Sequence, residues 1–333
     1  VFLAEKFHQD DRQNDFDGLR FIHQSLPELA IADVDISTQF AGTTWQSPFY
    51  INGMTGGSQQ TKKLNAQLAQ VAQIAGLPMA TGSQSVAIKD PTLVDTFSVI
   101  REFNPAGFIL ANIGAGNDLS VAQKAVAMTQ ANALEIHVNT AQEVVMPEGD
   151  REFYWLDQIG EIVANLDVPV IVKEVGFGMS AETIAKLQSV GVTNIDVSGK
   201  GGTNFVTIEN ERRRDKAYDY LSDWGQSTVE SLFESQAFQN ELTILASGGI
   251  RNPLDIVKAL RLGASAVGIS GQILHMLIKT GPTETAEQLL AWQAQIQSIM
   301  AMLGARNLTA LQSAPMILSP NLRHYLNERH LSL

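Results

Sequence analysis

Eight short apolar runs rich in β-branched residues recur along the chain, and between them lie stretches whose apolar positions fall three or four apart. The runs predict strands at Pro48–Asn52, Leu77–Thr81, Gly107–Asn112, Ala133–Val138, Val168–Lys173, Thr193–Ser198, Leu242–Ala246 and Ala264–Ile269. Several are continuously apolar, as in Val168-Pro169-Val170-Ile171-Val172, which suits strands buried on both faces. The three-to-four spacing predicts helices over Lys62–Ile74, Leu119–Gln130, Glu152–Asn165, Ser180–Val190, Thr228–Gln239 and Pro253–Leu262. Strand alternating with helix implies a parallel sheet. Eight such units in about 220 residues match an α/β fold of the (β/α)8 TIM-barrel class. An open doubly wound sheet is disfavoured, because no Gly-x-Gly-x-x-Gly follows the first strand. We expect a single domain. The barrel proper covers about 46–280, a 1–45 extension lies outside it, and 281–333 adds carboxy-terminal helices, one of them over Pro282–Leu303. The polar stretch Gly199–Gly225 after the sixth strand is a long loop, of the kind that is a functional lid or disordered.

Composition narrows the chemistry. Of 333 residues, 44% are hydrophobic and 17% charged, against roughly 25% charged in a typical domain; a disordered chain is excluded. The net charge of −12 argues against nucleic acid as a partner, and an anionic small molecule would need a local basic pocket. The absence of cysteine excludes disulfides, thiolate nucleophiles and Cys-ligated metals, and fits a cytoplasmic protein. No membrane partner is expected: the most apolar segment, Leu262–Ile278, carries Gly263, Ser265, Gly268, Ser270, Gly271 and His275 and reads as a strand followed by a helix. No signal peptide is visible, and the chain starts at Val1 rather than Met.

In a barrel, chemistry sits at the carboxy-terminal ends of the strands. Strand seven ends in Ser247-Gly248-Gly249-Ile250-Arg251 and strand eight in Ser270-Gly271-Gln272. Glycine loops at these two places, each opening a helix, are the usual phosphate site of the fold; the plain alternative is two tight turns. Gly53-Met54-Thr55 after strand one, Ser83 after strand two and Asn112 at the end of strand three offer a lining for a flat heterocycle, or simply turns. Lys173, ending strand five, is either a surface lysine or a cation beside the electron-rich edge of a flavin. Ser198-Gly199-Lys200-Gly201-Gly202-Thr203 resembles a second anion cradle. Strand four ends in His137-Val138-Asn139-Thr140-Ala141-Gln142-Glu143. Period-two alternation puts His137 and Asn139 on one face. Glu143 offers oxygen to Mg2+, or the segment is a capping network. The other histidines, His8, His23, His275, His324 and His330, show no metal spacing.

Together, Met54-Thr55-Gly56-Gly57, His137-Val138-Asn139 with Gln142-Glu143, Val172-Lys173-Glu174-Val175-Gly176-Phe177-Gly178, the strand-six loop, Trp224-Gly225 and Ser247-Gly248-Gly249-Ile250-Arg251 closely resemble the type 2, flavin-dependent isopentenyl-diphosphate isomerases over nearly the whole chain. The resemblance implies interconversion of isopentenyl and dimethylallyl diphosphate with reduced FMN, NADPH as its reductant, and Mg2+ on the diphosphate. It implies flavin contacts from Gly53, Met54, Thr55, Ser83, Asn112, Lys173, Ser198 and Thr203, with the flavin phosphate on Gly248, Gly249, Arg251, Ser270 and Gly271. Gln142 would be catalytic and touch the reacting end, Glu143 would bind the metal, and His137 and Asn139 would hold the diphosphate. A homo-oligomer, tetramer or octamer, is implied as well. Two departures stand out. The family's amino-terminal Arg-Lys clamp has no counterpart before Phe7-His8, where Lys6 stands alone, so we expect it to lie before Val1; and Ser85 stands where many members have Arg. The competing expectations are an FMN-dependent 2-hydroxyacid oxidase, which needs a catalytic His absent from the strand-six loop, and a flavin-binding barrel without activity.

Overall fold

The structure is a computed structural model and describes residues 2–7 and 13–332; His8 therefore lies outside the described residues. Eight parallel strands close into a barrel: Phe49–Ile51, Met79–Ala80, Ile109–Gly114, Ala133–His137, Val170–Lys173, Asn194–Asp196, Thr243–Ser247 and Ala266–Ile269, the eighth pairing with the first. All eight expected strands are present, mostly with later starts or earlier ends. The expected helices are present too, with boundaries moved to their caps. Ser58 and Gly76 bracket Gln59–Ala75, Asp118 opens Leu119–Thr129, and Ser180 opens Ala181–Ser189. The expected Glu152 start moves to Leu156, and the helix from Thr228 stops at Glu234, followed by a 3-10 turn over Gln236–Phe238.

Inward-pointing side chains fill the lower barrel. Tyr50, Ala80, Leu110, Ala133, Ile171, Leu245 and Ala266 form one cluster with Phe40 and Trp45. The last two come from a hairpin, Thr38–Phe40 with Thr43–Trp45, that plugs the amino-terminal end of the barrel. Phe40 and Trp45 lie 4.7 Å apart by ring centroid, and Phe108 meets Trp45 edge-on at 5.3 Å. A much larger apolar cluster lies between the strands and the surrounding helices. The helices Pro282–Met302 and Pro320–Glu328 extend the outer layer. Arg329 binds the buried Glu234 at 2.7 Å and so ties the end of the chain back to the barrel wall.

One expectation changes. Gly199–Gly225 is not a bare loop: Asn204 caps a helix over Phe205–Arg212, and a 3-10 turn covers Asp219–Leu221. The amino-terminal extension lies outside the barrel strands and packs against the barrel. Lys258 Nζ donates to the Phe16 carbonyl at 2.7 Å, Arg251 pairs with Asp17 at 2.7 Å, and Phe16 and Leu19 are core residues. Among the described residues, no helix is long and apolar enough to cross a membrane.

Candidate active site

The carboxy-terminal ends of the strands surround a cavity of about 890 Å³. Its floor is the last turn of the barrel, where the inward positions change from apolar to polar. Strand register sets Asn112 beside Glu135, His137 beside Lys173, and Lys173 beside Asp196. Asp196 is fully buried and gathers groups from three strands. Tyr50 Oη donates to it at 3.0 Å, Asn52 Nδ2 at 3.1 Å, Ser247 Oγ at 2.8 Å, and the Ser198 backbone N–H at 3.0 Å. Burial, with the Asp196 charge adding to it, pushes the Tyr50 hydroxyl well above its usual pKa, so it stays a donor. Ser198 takes φ +28°, a conformation uncommon for a residue with a side chain. Its bond to Asp196 helps to hold it there.

The same floor carries three further titratable groups. Lys173 is buried and donates to the Glu174 carbonyl at 3.1 Å. Burial raises the Glu135 carboxyl to about 7, with Lys173 and the Asn112 amide opposing. Burial lowers His137 to about 3; Lys173 pushes the same way, and the Ile113 carbonyl beside the ring opposes. His137 is therefore neutral at physiological pH.

The two glycine loops differ in what they can offer an anion. The helix Pro253–Arg261 after strand seven is already capped, since Asn252 accepts from the Asp255 N–H. The helix Gly271–Thr280 after strand eight has no side-chain cap, and its first residues Gly271 and Gln272 line the cavity, so its first-turn N–H groups are left for a ligand there. The strand-seven loop contributes shape. Gly248 and Gly249 sit at φ +98° and +76°, and a Cβ on Gly248 would collide with the Gly199 carbonyl. Asn14 braces this loop by donating to the Gly249 carbonyl at 2.8 Å. Arg251 reaches the cavity wall while paired with Asp17 and with Asp255, the latter at 2.8 Å.

At the end of strand four the expected alternation stops. The strand ends at His137, and Asn139, with φ −144° and ψ 41°, opens the helix Thr140–Val145. His137 therefore lines the cavity and Asn139 does not. Asn139 instead orients its neighbours. Its Nδ2 donates to Glu143 Oε1 at 2.8 Å and to Gln142 Oε1 at 3.3 Å. Gln142 Nε2 crosses to Glu209 Oε1 at 3.0 Å, on the helix of the strand-six insertion, and Arg212 holds the other oxygen of Glu209. Glu209 and Arg212 both line the cavity, as do Leu3 and Phe7 of the amino-terminal segment. Leu3, Phe7 and Glu209 were not among the expected site residues. For Glu209 the available signal was an acid and a base at i, i+3 inside a long insertion after a catalytic strand.

Of the residues expected to contact flavin or substrate, all line the cavity except Thr55 and Asn139. Thr55 is buried behind the wall, bonded to Asn65. Glu143, expected to hold metal, is also set back, its Oε2 accepting from the Asp150 N–H at 2.7 Å. A flavin mononucleotide suits the cavity: an open helix start for the phosphate, a buried cation for the ring edge, and glycines where backbone must come close. For a metal, the described residues contain no cluster of three acidic or imidazole ligands. A lone carboxylate suits Mg2+ that shares its shell with substrate phosphates.

A parallel barrel with a phosphate-type mouth and a buried lysine on its floor defines a flavin-barrel class, and residues 102–318 match the family described as FMN-dependent dehydrogenase. The fold is shared with a flavocytochrome b2 mutant with pyruvate bound (TM-score 0.68, 21% identity, 94% of this chain and 78% of that one). It is shared also with a mandelate oxidase (TM-score 0.63, 17% identity, 92% and 88%). Within that class the chain belongs to the isopentenyl-diphosphate delta-isomerase family. It is 99% identical over 333 residues to the isopentenyl-diphosphate delta-isomerase of Latilactobacillus sakei subsp. sakei (strain 23K), covering all of this chain and 95% of that protein. It is 54% identical to that of Lacticaseibacillus paracasei (99% and 95%) and 48% identical to that of Listeria monocytogenes serotype 4a (100% and 94%).

Proposed function

We propose that the cavity interconverts isopentenyl and dimethylallyl diphosphate over bound FMN, with NADPH as the flavin's reductant and Mg2+ shared between Glu143 and the diphosphate. The observation that carries this reading is the Gln142–Glu209 bond at 3.0 Å, which sets a fixed amide and a carboxylate side by side on the cavity wall. The isomerisation moves a double bond by adding a proton at one end of an allyl unit and removing one at the other. Reduced FMN, when bound, would supply an electron-rich ring able to carry a proton.

The chain's own residues do the rest. Glu209 is placed to accept or return a proton at Oε1, and Arg212 fixes its direction. Gln142, held from one side by Asn139 and from the other by Glu209, orients the hydrocarbon end. Lys173 would offset negative charge on the flavin ring. The uncapped start of Gly271–Thr280 and Arg251 would serve the flavin phosphate. Leu3, Phe7, Met54, Phe205, Ile208 and Leu274 give the cavity apolar walls that keep water from a cationic reacting carbon.

The hydroxyacid-oxidase reading has no support at the strand-six and strand-seven ends, where the cavity lining holds no histidine among the described residues. The test is turnover. FMN-loaded protein, reduced under anaerobic conditions and given isopentenyl diphosphate and Mg2+, forms dimethylallyl diphosphate. FMN-loaded, reduced protein without turnover would contradict the proposal.

A further inference from the structure

Glu135 has no place in the chemistry above, yet it is fully buried under the cavity floor, two residues before His137 on the same strand. Asn112, on the neighbouring strand, lies between the two. Its Nδ2 donates to Glu135 Oε2 at 2.8 Å, and its Oδ1 meets His137 Nδ1 at 2.8 Å.

The order of atoms in this chain is fixed by what each group can do. An amide nitrogen only donates and an amide oxygen only accepts. An acceptor at position 135 draws Nδ2 toward itself and so turns Oδ1 toward the imidazole. An oxygen that only accepts requires a proton on Nδ1. In the neutral ring, Nε2 is then bare. Protonating Glu135 does not reverse the chain. Its Oε1 is buried without a hydrogen-bond partner among the described residues, so a proton there leaves Oε2 an acceptor.

We propose that Glu135 is a positioning residue that acts through Asn112 to hold the proton on Nδ1 of His137, so that the cavity-lining imidazole offers Nε2 as an acceptor. A ligand group that meets Nε2 is then a donor, or an anionic oxygen that arrives together with a proton. A positively charged histidine would attract any anion regardless of its protonation; this one selects.

The experiment reads the ring directly. FMN-loaded protein labelled with 15N-histidine is examined by NMR without substrate, with the His137 signals identified by their loss in His137→Gln. The proposal expects Nδ1 protonated in every molecule of the wild-type protein. Glu135→Gln keeps the size of the side chain but adds a donor, so Asn112 can turn over, and the expected result is Nδ1 protonation in only part of the molecules. Adding Asn112→Asp to Glu135→Gln returns an acceptor-only oxygen to His137 and restores full Nδ1 protonation. A merely structural role for Glu135 does not predict that restoration. A bare Nδ1 in the wild-type protein overturns the proposal, and does so even if Glu135→Gln fails to fold. A fully protonated Nδ1 in a folded Glu135→Gln protein overturns it as well. Because no substrate is present, the result stands whether or not the diphosphate assignment holds.

Discussion

Asn14 and Gly249 are 235 residues apart in sequence, and the side-chain amide of the first donates to the carbonyl of the second at 2.8 Å. The bond fastens the amino-terminal extension to the strand-seven glycine loop, one wall of the cavity. Asn14 also caps the short turn Asp15–Gly18, which carries the Arg251 partner Asp17. Asn14→Ala therefore loosens the phosphate end of the site without touching the Gln142–Glu209 end. One hydrogen bond of this kind is worth about 1 kcal/mol, or roughly fivefold in affinity. Titration of the apoprotein with FMN is expected to show that loss, with the KM for isopentenyl diphosphate unchanged once FMN is saturating.

Glu209→Gln removes the proton-accepting form while keeping the side chain's size. Turnover is expected to fall by about 10²-fold or more, the usual scale for a lost general acid or base, with the FMN spectrum intact. Gln142→Ala leaves Glu209 in place and is expected to lower turnover by roughly tenfold, the equivalent of about 1.4 kcal/mol. Steady-state kinetics on both variants, at equal FMN content, checks the order of the two effects; equal activity in Glu209→Gln and wild type would remove Glu209 from the proton path.

Glu143 is braced by Asn139 and by the Asp150 N–H. Glu143→Gln keeps an oxygen for the latter but loses the charge. The Mg2+ concentration for half-maximal activity is expected to rise by about tenfold, at the low end of losses seen when metal-site partners are altered. FMN absorbance is expected to stay the same, since the partners of Glu143, Asn139 and the Asp150 N–H, are not among the residues that line the cavity around the flavin.

The buried titratable groups give the apoprotein opposing pH dependences. His137, lowered to about 3, takes no proton in the folded state between pH 3 and its ordinary value near 6.5, whereas the unfolded chain does. It therefore costs stability progressively as pH falls below 6.5. Glu135, raised to about 7, holds a proton in the folded state where the unfolded chain has lost it, so its contribution falls as pH rises from 4.5 to 7. At pH 5 the His137 effect amounts to ~2 kcal/mol, at about 1.4 kcal/mol per pH unit below 6.5. Urea unfolding of apo His137→Gln at pH 5 and 7.5 is expected to show less acid destabilisation than wild type by that order. Glu135→Gln is expected to show more.

Much of this was legible in the chain. The apolar runs located all eight strands, and the rule that barrel chemistry sits at strand ends led to Lys173, Ser198 and the Gly248-Gly249 loop. What escaped has identifiable causes. The helix Asp95–Phe103 follows a proline turn, Pro91–Leu93, that broke the helical pattern before it started. Asn139 was read by strand alternation, but the backbone had already turned into a helix. Glu209 sits in an insertion with no strand to anchor its direction. Glu135 and Asp196 look like interruptions in apolar strands, and only the closed barrel shows that they organise its floor. Which of two glycine loops opens an uncapped helix depended on one side chain, Asn252.

Isomerisation neither gains nor loses electrons, and this property separates the proposed reaction most directly from that of a flavin dehydrogenase on the same barrel. The decisive measurement follows the flavin spectrum and the product together in anaerobic, stoichiometrically reduced protein mixed with excess isopentenyl diphosphate and Mg2+ in deuterated water. The account predicts many turnovers to dimethylallyl diphosphate, deuterium in the product, and a flavin that is still reduced at the end. Flavin oxidised in step with product, or no product from protein whose FMN is bound and reduced, would contradict it.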